Sequence, residues 1–107
     1  MFKVIDKPIK PTEAEALAQE IEGFYIKVVA DLNKRIICAG SRMHFDEEQE
    51  LLRSGSKQQD LWGGGYDLDE KQITLDSIIN NRPGENSSEE ILDPEIREEF
   101  EGLENIY

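Results

Sequence analysis

The sequence predicts an α+β fold in two layers: a mainly antiparallel sheet of about five strands with three helices on one face, in the order β-α-β-β-α-β-β-α. Three observations lead there. Two pairs of β-rich segments are each joined by a short polar turn, at residues 31–34 and 67–71, which is hairpin chemistry. Helix start signals stand at Thr12, Asp46 and Asp93. Parallel strands need a crossover of a dozen or more residues, and neither hairpin connection is that long.

Residues 2–5 read as a short strand, closed by Pro8 and Pro11. Thr12 and Glu15 then form a capping box. Ala14, Leu17, Ala18 and Ile21 follow at helical spacing, and Gly23 stands at the stop. Residues 24–30 are aromatic and β-branched and pair across the turn at 31–34 with residues 35–40. Asp46 caps a short acidic helix to Arg53, with Gln49 at the box position and Gly55 ending it. Its anchors are Leu51 and Leu52, so a peripheral helix is expected.

Residues 61–66 hold Trp62 and three consecutive glycines, which read as a flexible or bulged strand. The returning strand runs over 72–79, with Ile73, Leu75, Ser77 and Ile79 on one face. Residues 80–90 form a polar loop with few anchors, expected to be the most mobile internal segment. Asp93 and Pro94 open a last helix striped by Ile96, Phe100 and Leu103. The expected core is Leu17, Ile21, Ile26, Val28, Ile36, Cys38, Ile73, Leu75, Ile96 and Phe100.

With 107 residues, one domain spanning 1–107 is expected. Twenty-four Asp and Glu against twelve Lys and Arg give a formal charge of −12, which repels a phosphate backbone and argues against nucleic acid as a partner. The lone cysteine, Cys38, sits in an apolar run and reads as a buried hydrophobe in a reducing compartment. No secretory or membrane-spanning stretch is visible, so a cytoplasmic protein is expected. Asn86-Ser87-Ser88 matches a glycosylation acceptor by chance.

A few constellations have residue types suited to chemistry. The glycines after Trp62 lack the helix N-terminus and Lys-Ser of a phosphate loop, and no cofactor is expected. Asp67, Asp69 and Glu70, and the run Asp46, Glu47, Glu48 and Glu50, read as solvated acidic faces; weak divalent-cation binding is the alternative. His44 is the only histidine, which excludes a multi-histidine zinc site, and no metal-ligand set is expected.

The hairpin brings Asp60 and Trp62 to the same end as residues 80–83. Trp62, Asp60, Asn81 and Arg82 can then converge, with His44 reaching in and Ser77 on the returning strand. An Arg can stack on an indole and pair with a carboxylate. These six residues are the candidate ligand site. Opposed to this is a buried Trp–Arg–Asp network that only ties the loop to the sheet.

Met43-His44, Gly55-Ser56, Asp60-Leu61-Trp62-Gly63, Ser77 with Asn81-Arg82-Pro83, and Asp93 with Ile96-Arg97 together resemble a family of short prokaryotic proteins of unknown function. The resemblance runs from the first helix to the last. Gly64-Gly65 departs from it, since a more polar residue is expected there. It implies a prokaryotic, cytoplasmic protein and no activity.

The function is therefore read as unknown. The leading expectation is a small acidic binding or interaction domain with a Trp62/Arg82-centred patch. Its partner would be another protein, a second copy in a homodimer, or a small ligand, and not a membrane. The competing expectation is a hydrolase-type enzyme using His44 with Asp60 or Asp46 as base.

Overall fold

The computed structural model describes residues 3–5, 16, 18 and 25–103. Five strands form one sheet: β1 (Lys3–Ile5), β2 (Tyr25–Asp31), β3 (Ile36–Ala39), β4 (Leu61–Asp67) and β5 (Gln72–Thr74). Their order across the sheet is β1-β3-β2-β4-β5, and every neighbouring pair is antiparallel. Among the described residues there are two α-helices, α1 (His44–Arg53) and α2 (Pro94–Leu103). The helix expected from Thr12 to Gly23 lies outside the described residues, apart from Ala16 and Ala18. Both of these are helical, and Ala18 is buried. Leu17 and Ile21 of the expected core also lie outside them.

Both hairpins form as their turns dictate. Asp31 Oδ1 accepts from the amides of Asn33 and Lys34, each at 2.9 Å, and Arg35 takes a positive φ of 61°. Asp67 Oδ1 does the same for Asp69 and Glu70, with Lys71 at φ 54°.

The sheet is covered on both faces, which corrects the two-layer expectation. Ile26, Val28, Ala30, Ile37, Ala39 and Trp62 point to one face, where Phe100 of α2, Ile91 and Ala18 pack. Val29, Cys38 and Leu61 point to the other, against Leu51 of α1. The expectation of a peripheral first acidic helix therefore fails: Leu51 is fully buried, and without it the second face of β2 and β3 would meet water. Ile36, Ile73, Leu75 and Ile96, expected in the core, pack at its margin.

Helix α1 starts at His44 with Met43 as N-cap and no capping side chain, so the cap stands three residues before the expected one, Asp46. Asp46 lies within the first turn and accepts from Ser41 Oγ at 3.4 Å. The expected stop is correct. Gly55 adopts φ +105°, and the amides of Gly55 and Ser56 return to the carbonyls of Leu52 and Leu51. At α2, Asp93 Oδ1 accepts from the Glu95 amide at 2.9 Å, as its capping role requires.

The glycines of β4 are neither bulged nor exposed. Register runs without a break from Tyr25↔Asp67 to Asp31↔Leu61, and all three are buried. A Cβ on Gly63 would lie 2.6 Å from Ser77 Cβ, and one on Gly64 would strike the Phe100 ring at 2.8 Å and the Thr74 carbonyl. Glycine is required because elements close in on the strand from both faces.

β5 ends at Thr74, five residues short of the expected strand. Ser77 Oγ accepts from the Ile79 amide and starts a 3-10 turn, Ile78–Asn80, that takes the chain off the sheet. Residues 80–90 are also better anchored than expected. Asn86, buried, donates through Nδ2 to the carbonyls of Asn80, Ser88 and Glu90 and accepts at Oδ1 from the Leu92 amide. With every polar atom of its side chain engaged inside the fold, Asn86 is no glycan acceptor.

Candidate functional site

The loss of β5 beyond Thr74 leaves the outer edge of β4 without a strand from Leu61 to Gly64, and side chains take the place of one. Asn80, fully buried, accepts from the Gly63 amide at 2.8 Å and donates to the Gly63 carbonyl at 2.9 Å and to Glu89 O at 3.0 Å. Its amide reproduces the paired bonds of an antiparallel strand. Next along the chain, Arg82 donates to the carbonyl of Gln59 at 3.1 Å and to that of Leu61. Its guanidinium lies 4.0 Å from the centroid of the Trp62 ring. Burial lowers the Arg82 pKa, and Glu85, Glu48 and Asp60 act against that shift. Glu85 is the nearest of these, 3.7 Å away.

Trp62 is 3% exposed, so its ring serves as a floor beneath Arg82 and not as a contact surface. Beside it opens a groove of about 480 Å³, lined by Glu48 of α1, Gln58 and Gln59 of the 3-10 turn before β4, Ile78 and Ile79, and Asn81 to Glu85 apart from Gly84. Ile78 is 73% exposed within it.

The six expected site residues separate into two groups. Arg82 and Trp62 are stacked, Asp60 lies within electrostatic reach of Arg82, and Asn81 lines the groove. Ser77 is buried and spent on capping its own turn. His44 meets β4 at another point. Its Nε2–H donates to the Gly64 carbonyl at 2.6 Å, which leaves Nδ1 as the unprotonated nitrogen. Burial lowers the His44 pKa, helped by Lys27 and opposed by the Gly64 bond and Asp76. Among the described residues no carboxylate hydrogen-bonds His44; Asp46 is turned to Ser41 instead. The geometry of a base oriented by Asp46 or Asp60 is therefore missing.

Glu47 departs most from its sequence reading as part of a solvated face. It is fully buried, Oε2 accepts from the Ser41 amide at 2.9 Å, and Oε1 has no partner among the described residues. Burial pushes its carboxyl up to about 9, against the pull of backbone bonds from Ser41 and Gly40 and of Lys27. The carboxyl is protonated at neutral pH. A signal for this exists in the sequence: positions 44, 47, 48 and 51 share one helical face, so an inward Leu51 brings Glu47 and Glu48 in with it. Cys38, on the strand beneath, is pushed up to about 12 by burial and by Glu47 and Glu50, which makes it an inert thiol.

Among the described residues, no three His, Cys, Asp or Glu side chains gather to hold a metal ion. No helix there is long and apolar enough to cross a membrane. The family model of a protein of unknown function (DUF5674) matches residues 3–105, whereas no curated protein and no solved structure matches the chain.

Proposed function

We propose, from the premise that the chain belongs to DUF5674, a family of unknown function, that it is a non-enzymatic binding domain whose ligand site is the groove beside Arg82. The observation that carries this reading is the construction of the groove wall. Arg82 is fixed by an indole and two carbonyls, so the wall is rigid before any ligand arrives, and rigid walls lower the entropy cost of binding. Exposed Ile78 adds apolar area, and Asn81, Gln58 and Gln59 add directional polar groups. In the same reading the chain is one cytoplasmic domain with the three helices expected of it, Ala16 and Ala18 belonging to the first.

The test uses a library of small fragments screened by amide chemical shifts. Hits should perturb Ile78, Asn81 and Arg82, and should be lost in Ile78→Ser and Asn81→Ala while the thermal midpoint holds. Hits that cluster at His44 instead would favour the enzyme reading and sink this one.

A further inference from the structure

The groove is unevenly charged. Its single guanidinium is engaged with two backbone carbonyls and an aromatic face, and three carboxylates, Glu85, Glu48 and Asp60, act on it. The formal local balance is negative. Glu48 is only 6% exposed, yet among the described residues its side chain has one hydrogen bond, from Gln58 Nε2 at 3.5 Å, the outer limit for such a bond. A carboxylate with a single long hydrogen bond has acceptor capacity to spare. Glu85, in the same lining, has its side chain 56% exposed. Ile78, Ile79 and Pro83 supply the apolar strip of that lining.

We infer that the groove docks a basic segment of a partner protein, with a Lys or Arg seated against Glu48 and Glu85 and an aliphatic neighbour on Ile78. This rests on the groove being the ligand site. Charge complementarity selects the occupant. The chain's −12 draws a cationic partner in and repels a second copy of itself, an acidic peptide or a phosphate. The apolar strip selects a peptide over a simple polyamine, because an aliphatic side chain there buries area that a polyamine offers poorly.

The experiment is a titration of isotope-labelled protein followed at the amides of Ile78, Asn81 and Glu85. The probes are a short synthetic peptide alternating lysine and leucine, its counterpart with glutamate for lysine, and spermidine. The lysine peptide should saturate these shifts and weaken as salt is added. Glu85→Gln, at an exposed position, should weaken it about two- to fivefold, and Glu48→Gln should weaken it at least as much. Equal or tighter binding of the glutamate peptide overturns the charge assignment and leaves the groove as a site. Spermidine matching the lysine peptide overturns the protein partner. Unchanged affinity in both variants overturns the seat between Glu48 and Glu85. No groove shift with any probe removes this inference, and if the fragment library is also silent there, the groove reading falls with it.

Discussion

Asn80 and Glu47 are two buried polar side chains with opposite standing. Asn80 has its amide satisfied and in turn satisfies both backbone groups of Gly63. Asn80→Ala would leave that buried N–H and C=O without partners, so a loss of roughly 2–4 kcal/mol is expected in urea unfolding. Glu47 keeps an unpartnered oxygen. Its folded carboxyl, at about 9, lies above the ordinary value of 4.5 that holds in the unfolded chain. Its contribution is thus fully present below that ordinary value and is lost as pH rises toward 9. His44 has the opposite sign. Its folded pKa is lowered, so stability rises with pH until the unfolded imidazole has titrated near 6.5. Between about pH 7 and 9 the Glu47 slope is therefore isolated. Stability should fall across that window in the wild type and stay flatter in Glu47→Gln, as read from urea midpoints at stepped pH. At this scale the sequence was only partly legible. The Asp60-to-Arg82 neighbourhood followed from pairing two strands around a turn. Burial of Glu47 did not follow, because charge alone reads as solvent-facing until the helix is known to lie on the sheet.

At the scale of elements, the hairpins, the end of α1 and the start of α2 were the legible part, since Asp31, Asp67 and Asp93 accept from amides two or three residues on and the Gly55 amide donates to the carbonyl three residues back. What was hidden depends on long-range neighbours. β5 stops early because Ser77 and Asn80 have better partners off the strand, and the helices divide between two faces because β2 is apolar on both. The glycines give the clearest test of local against distant causes. At Gly102, in α2, an added Cβ would have nothing within 4 Å, so Gly102→Ala should stabilise by about 0.5–1 kcal/mol through helix propensity. Gly64→Ala meets Phe100 and the Thr74 backbone, so it should destabilise by about 2 kcal/mol or more, if it folds at all. Thermal midpoints of the two variants, moving in opposite directions, would check both.

For the whole molecule, a charge of −12 spread over a small sheet carries a cost in self-repulsion. Among the described residues the Arg53–Glu50 pair at 2.7 Å lies at the surface, where such a pair contributes little, and Arg82, largely buried, stands 3.7 Å from Glu85, too long for a close pair. Raising sodium chloride from about 0.02 M to about 0.5 M should therefore raise the melting temperature by screening. Millimolar calcium or magnesium should add nothing beyond a sodium chloride control of equal ionic strength. A larger shift would restore the cation-binding reading, because a ligand specific to the native state must stabilise it.

The short β5 leaves part of β4 open, and a bare strand edge is a template on which another molecule can add a strand. Asn80 and Arg82 occupy that stretch in place of a strand, Asn80 pairing with Gly63 and Arg82 with Leu61. They therefore act as stoppers against fibril growth as well as ties within the fold. A chain lacking Asn80 should lose its solubility on storage earlier than its stability deficit alone accounts for, with thioflavin-positive aggregates seeded from this edge.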